Sequence, residues 1–419
     1  MRCRRPANGM RDEKIKEKIK MNVPFLDLKR QYQGLREEIV AAIRPVMEEQ
    51  TFIGGKHVHD FEGQIARYLN VKYALGCGNG TEALVLALRA CDVKPGDEVI
   101  TTPFTFFATA EAIASIGAVP VFVDICEEDY NIDPEQIEKK ITERTRAILP
   151  VHIFGAPCRM REIMEIAHRH GLKVIEDDAQ AIGSRYEGRM AGTLGDIGCF
   201  SFYPTKNLGG FGDGGLVTTN DEGLAVILAA LREHGAGKNG ARALELLGGD
   251  AQTEALTEGG SSNGLYDPYK YYNYLIGYNS RLDAIQAAVL AVKLMYLDEF
   301  NAARARVAGA YQAGLCDAVR KPSYRADITP CWHQYVVMTP YKYELCAYLQ
   351  EHQVGCGTFY PVPLHLQKAF SQLGYQPGSL PVAEKVSAQS VCLPVFPELT
   401  QEEIEYVIKT TNDFFADRK

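Results

Sequence analysis

Between Val174 and Thr218 the chain gathers carboxylates, an amide, a hydroxyl and a lysine between glycine-rich turns. Leu172 to Ile175 are apolar and give way abruptly to Glu176, Asp177 and Asp178, with Gln180 following within one turn. This is the pattern of a buried parallel strand that delivers acids at its carboxyl end, where open α/β sheets place their ligands. A second strand is expected over Ile197 to Tyr203, and its alternation puts Cys199, Ser201 and Tyr203 on one face. Lys206 comes next, and the five glycines of the run Asn207 to Gly215 leave little side chain to crowd what approaches the amine. A lysine so placed suggests a Schiff base. Taken singly, each feature has a blander reading, since acids at a strand end often cap a helix and a lysine among glycines is often a surface charge. Their conjunction carries the argument.

The elements that must position these groups alternate between β and α. Gly76 to Leu84, GCGNGTEAL, joins a short strand at Tyr73 to Leu75 to a helix with Leu84, Leu88 and Cys91 on its buried stripe. Glycines at that junction let backbone N–H groups approach an anion at the helix N-terminus. The spacing is not the G-x-G-x-x-G of dinucleotide folds. Further strands are expected at Glu98 to Thr102, Val119 to Val123 and Ala147 to His152, with a helix capped by Asp133 and opened by Pro134. Before them, Leu35, Ile39, Ile43 and Met47 recur every four residues in an amphipathic helix from Gln31 to Glu49. His57 and His59, two apart, fall on different faces and read as surface residues, so no metal site is expected. The pattern predicts an α/β fold with a parallel-rich sheet between helices.

Three separated motifs, E-D-x-A-Q at Glu176 to Gln180, G-D-x-x-x-F-S-F at Gly195 to Phe202 and K-x-L-G-x-x-G-D-G-G at Lys206 to Gly215, occur in this order. On these the chain resembles the DegT/DnrJ/EryC1/StrS family of pyridoxal-phosphate (PLP) sugar aminotransferases, of the aspartate-aminotransferase-like fold, from about Val23 to the last helix. The resemblance implies PLP-dependent fold type I, with a large domain built on a mixed seven-stranded sheet and a smaller α+β C-terminal domain. It implies that Asp177 faces the pyridine nitrogen, Gln180 sits beside the ring 3-hydroxyl, Phe106 stacks on the ring, Gly80, Thr81 and Ser201 hold the phosphate, and Lys206 forms the Schiff base and shuttles protons. Ile276 to Asp283 matches the family's G-x-N-x-R. By that likeness Asn279 reaches the partner subunit's phosphate, which implies a homodimer with shared active sites, and Arg281 and His365 become candidates for substrate contact. The implied reaction moves an amino group from L-glutamate to a dTDP- or UDP-linked keto-sugar. Family dehydratases replace the Schiff-base lysine with histidine, whereas this chain keeps Lys206; a binding or regulatory protein on the same scaffold is the rival from another class.

At 419 residues the chain suggests two domains. The expected division is 21–280 for the large PLP-binding domain and 281–419 for the small one, with a long helix from Leu282 to Leu297 bridging them. A net charge of −8 asks for neither nucleic acid nor an anionic membrane as partner. No run of about eighteen apolar residues occurs, and eleven scattered cysteines without C-x-x-C fit reduced thiols in the cytoplasm. Residues 1–20 are basic, lack an apolar h-region and read as a disordered extension or a start called ahead of Met21. Residues 235–269 depart from the family as a Gly/Ser/Asn-rich insertion around one short helix at Ala241 to Leu247. Asn273 stands where relatives often carry histidine.

Overall fold

The computed structural model describes residues 21–251, 272–416 and 418. Expectations for residues 1–20 and for 252–269 of the insertion lie outside the described residues, while the short helix expected at Ala241 to Leu247 is present as Gly237–Leu246.

Two helices open the chain. Helix α1 (Leu28–Glu49) starts at Asp27, whose carboxylate accepts from the Lys29 and Arg30 N–H groups, and buries Leu35, Ile39 and Val46. Met47, expected on that stripe, is exposed, because the true 3.6-residue period moves the buried face to Val46. Helix α2 (Gly55–Leu69) buries Val58, Phe61, Ile65 and Leu69.

A βα alternation follows: β1 (Tyr73–Cys77), α3 (Gly80–Ala90), β2 (Glu98–Thr101), α4 (Ala108–Ser115), β3 (Val119–Phe122), α5 (Pro134–Ile137), β4 (Thr145–Leu149), α6 (Met160–His170) and β5 (Lys173–Asp177). After a hairpin, β6 (Arg185–Tyr186) and β7 (Arg189–Met190), come β8 (Ile197–Ser201), β9 (Gly215–Thr219), α7 (Glu222–Leu231) and α8 (Gly237–Leu246). Seven strands form one sheet in the order β1-β9-β8-β5-β4-β2-β3. Only β9 runs against the rest, pairing antiparallel with both β1 and β8. All the other strands therefore end at one edge, which gathers Cys77, Thr101, Asp177 and Ser201. The strands are buried on both faces because helices cover both sides. The helix at Pro134 is a single turn, and β8 stops at Ser201, two residues short of its expected end.

The expected bridging helix is broken into α9 (Ala284–Leu294) and α10 (Leu297–Gly314), with Met295 exposed at the break. Beyond them lie β10 (Ile328–Thr329), β11 (Tyr335–Met338), α11 (Lys342–Glu351), α12 (Pro381–Gln389), β12 (Ser390–Leu393) and α13 (Gln401–Ala416). Strand β10 pairs with β6, and β11 with β12, both antiparallel.

The hydrophobic cores link residues across the expected division at residue 280. Helix α9 belongs to the large unit, since its Ala284, Ala287 and Leu290 pack with Phe61 and Phe202. Helix α10 is rooted there by Leu297 and in the small unit by Val307 and Tyr311. Val23, at the other end of the sequence, lies in the small unit's core and bridges to Val354. The chain thus passes back and forth between the cores, and an apolar stripe read locally does not show which core it meets.

Candidate active site

The site is built at the shared edge of the sheet. Asp177, last residue of β5, is 4% exposed; its Oδ2 accepts from the Thr109 hydroxyl at 2.8 Å and its Oδ1 from the Ala179 N–H at 3.1 Å. Burial pushes its pKa up, while Thr109, the Ala179 N–H and the charge of Lys206 pull it down. Two donors hold the carboxylate in one orientation. Lys206, in the loop after β8, has its pKa lowered by burial to about 8, against the field of Asp177. An amine so tuned reaches its neutral, nucleophilic form near physiological pH.

Asp178 turns away from this site. Neighbouring residues of a strand end point to opposite faces, and Asp178 lies buried beside Glu176 and His152. Neither of its oxygens has a hydrogen-bond partner. Burial, with Glu176 and Asp177 close by, raises its pKa well above the carboxylate range, so it is held as the neutral acid. Glu176 instead accepts from His152 at 2.9 Å and from the N–H groups of Gly192, Leu194 and Gly195 at 3.0, 2.7 and 2.7 Å, which ties the β7–β8 loop down. His152, Glu176 and Asp178 have the composition of a metal cluster. However, His152 Nδ1 accepts from the Cys158 N–H, so Nε2 carries the proton given to Glu176 and has no lone pair for a metal.

The phosphate-type cradle forms where β1 meets α3. Asn79 caps α3, its side chain accepting from the Glu82 N–H at 2.9 Å. A Cβ on Gly80 would come within 2.7 Å of Ser201 Cβ, so only glycine lets the helix N-terminus approach the end of β8 this closely. Gly80, Thr81 and Ser201 are thereby brought together. Phe106 presents its ring at 58% exposure, beside Tyr360 at 6.4 Å between centroids. Phe104 is fully buried in the core.

Gln180 is clamped: its Oε1 accepts from the Phe154 N–H and its Nε2 donates to the Tyr360 hydroxyl, both at 2.8 Å. Asn207 is clamped as well. Its Nδ2 donates to Asn301 and to the Cys331 carbonyl, both at 2.9 Å, so its Oδ1 accepts from His333 Nδ1 at 3.0 Å. The sequence reading gave no role to Thr109, Tyr360 or His333. The first lies within a segment already marked as leading into a helix; the other two come from the small unit, and no local spacing signals them.

Asn279 and Arg281 are exposed and flank buried Ser280, whose hydroxyl accepts from the Gly78 N–H at 3.1 Å. Ser280 is anchored to this chain's cradle while its two neighbours face outward. His365 does not have the open position expected of a substrate residue. Its side chain is buried and pairs with Glu384 at 3.1 Å, because the turn around Gly378 folds Glu384 over it.

The residues present fit PLP. An exposed aromatic face, an oriented buried carboxylate, a lysine of lowered pKa and converging donors at a helix N-terminus are what a flat cationic ring with a phosphate tail requires.

Comparison with known proteins agrees with this geometry. A curated protein of Geobacillus stearothermophilus named "Pleiotropic regulatory protein" is 44% identical over 94% of this chain and 99% of its own length. The UDP-N-acetyl-3-dehydro-alpha-D-glucosamine 3-aminotransferase of Acidithiobacillus ferrooxidans is 38% identical over 91% of this chain and 95% of its own. Among solved structures, S. venezuelae DesV in complex with a ketimine intermediate superposes with a TM-score of 0.85 at 39% identity, covering 94% of this chain and 98% of that one. The model of the DegT/DnrJ/EryC1/StrS aminotransferase family matches residues 33–412, and the chain belongs to that family.

Proposed function

We propose that the protein is a PLP-dependent aminotransferase that passes an amino group from L-glutamate to the keto carbon of a nucleotide-linked sugar, working as a homodimer with shared sites. The observation that carries the reading is the convergence of Asp177, Lys206, Phe106 and the Gly80–Thr81–Ser201 cradle on one sheet edge. Relatives named as dTDP- and UDP-sugar transaminases support the substrate class.

When bound, PLP would supply the electron sink that lets the donor carbon give up its amino group and the keto carbon of the sugar gain one. The chain's own groups do the rest. Asp177, ionised with the help of Thr109 and the Ala179 N–H, keeps a proton on the ring nitrogen. Gln180, fixed by Phe154 and Tyr360, presents its amide to the ring hydroxyl. The α3 N-terminus and Ser201 hold the phosphate against the pull of product release. Lys206 Nζ, with a pKa of about 8, takes a proton from one carbon and returns it to another with little driving force lost in either direction.

No helix among the described residues is long and apolar enough to cross a membrane, and every described cysteine is free; both fit a cytoplasmic enzyme. A regulatory reading is favoured by the name of the 44% relative, but a scaffold kept only for binding has no need of a lysine of lowered pKa facing a buried carboxylate. The test is incubation with glutamate and a panel of keto-sugar nucleotides, followed by mass analysis. A gain of one amino group for one carbonyl oxygen supports the reading, and no product with any sugar defeats it.

A further inference from the structure

A cavity of about 760 Å³ opens next to the reactive lysine, lined by Thr205 together with Phe25, Arg304, His333, Gln334 and Phe359. Arg304 is 4% exposed. Its Nη1 donates to the carbonyls of Trp332, His333 and Val395, but its Nε has no partner, and among the described residues no carboxylate lies within ion-pair distance of it. A buried guanidinium is normally paired. Glu398 is the carboxylate whose field reaches Arg304, and it also serves buried Lys293, so two buried cations share one acid. The acid nearest the mouth, Asp27, is engaged by Arg30 at 3.2 Å and caps α1. Among the described residues no acid pairs with Arg304 directly, so the cavity presents the edge of a guanidinium shaped for a carboxylate.

His333 stands between this charge and the reaction centre. It lines the cavity together with Arg304 and Thr205, and it bonds Asn207, the residue after Lys206. Because its Nδ1 donates to Asn207, its Nε2 is left as an acceptor. The guanidinium thus shares a cavity with the loop that carries the amine, with His333 in the same lining, a position suited to the far end of a donor.

Building on the aminotransferase reading, we propose that this cavity is the amino-donor compartment and that the free edge of Arg304 binds the side-chain carboxylate of a dicarboxylic amino acid, which sets the preference for glutamate over neutral donors.

The test has two parts. On the holoenzyme, calorimetry with glutarate, which has both carboxylates and no amine, reads binding without turnover; glutarate is expected to bind and to compete with glutamate. On wild type and Arg304→Gln, kcat/KM is measured for glutamate and for glutamine on the same preparation, so the ratio is independent of the fraction folded. The ratio is expected to favour glutamate in wild type and to collapse roughly 10- to 100-fold in the variant, the worth of hydrogen bonds to a charged group. Leu26→Trp fills the cavity without touching the three carbonyl contacts and is expected to abolish glutarate binding if Arg304→Gln does not fold. An unchanged ratio, or glutarate binding that survives both substitutions, overturns the proposal. So does binding of a free nucleoside diphosphate, but not glutarate, at Arg304. Glutarate binding with no amino transfer from any donor would instead sink the aminotransferase reading and leave the compartment standing.

Discussion

Asp178→Asn is expected to make the protein more stable, and increasingly so as pH rises. Asp178 is buried, without a donor to either oxygen, beside two other acids, and its folded pKa lies well above the unfolded value. Below about pH 3.9 the carboxyl is protonated in both states and makes no difference. Above that value the unfolded chain releases the proton while the folded chain keeps it, so the native state binds more protons and stability falls with pH until the folded pKa is passed. For one group the slope is at most about 1.36 kcal/mol per pH unit while the folded chain keeps the proton. Asparagine has nearly the same shape and no proton to lose, so the variant escapes this loss. The comparison is made by denaturant unfolding of wild type and variant side by side at pH 5, 6 and 7, with cofactor content held fixed. The midpoints should diverge with pH, the variant rising relative to wild type. Parallel profiles, or a variant less stable throughout, would show that Asp178 is ionised and paired, and the account of the acid cluster would fail. Turnover should change little, because Asp178 faces away from the site.

The other expectations follow from the same geometry. Asp177→Asn should cut amino transfer by at least one to two decades, from loss of about 1.5–3 kcal/mol in a charged hydrogen bond; a loss no larger than that of Asp178→Asn would reverse the assignment. Lys206→Ala should fold, yet lose both turnover and borohydride fixation of the cofactor, and a trapped peptide containing another lysine would refute its role. Tyr360→Phe frees the Gln180 amide and should cost about 0.5–1.5 kcal/mol in cofactor affinity, read as a shifted dissociation constant with the absorbance band retained. Loss of Asn279 should weaken PLP affinity by one to two decades, about 1.5–3 kcal/mol. For the shared site, mixing inactive Lys206→Ala chains with chains inactivated at Asn279 and its neighbours should restore up to half the activity per mixed dimer; exchange without recovery would mean that Asn279 serves its own chain.

The edge of the sheet was readable because its information is local. Apolar runs ending in Asp177 and Ser201, and glycines before α3, mark strand ends and a helix start over a few residues, and the parallel order brings such ends together. Thr109 gave no such sign, since a threonine in an early helical turn resembles any other until Asp177 is seen 2.8 Å away. Tyr360 and Gln180 are 180 positions apart, and only the packing of the small unit on the large one makes them partners. His365 shows the opposite case: a histidine after a proline-stiffened loop invites a reading as a substrate contact, while its acid partner is nineteen positions further on. The break at Met295 was missed because helical periodicity continues across it.

The pairing of early segments with late ones bears on how the protein is made. Strand β1 emerges from the ribosome long before β9, its neighbour in the sheet, and Val23 emerges before the other described members of the core it will join. The large sheet cannot close until Thr219 is free, nor the small unit until Val354 has been synthesised. Until then both early segments carry exposed apolar surface. Pairings of such long sequence separation fold slowly, so the nascent chain passes through a lengthy window in which chaperone binding and aggregation compete. Expression at lower temperature or with holdase chaperones should raise the yield of soluble protein more than any substitution at the site.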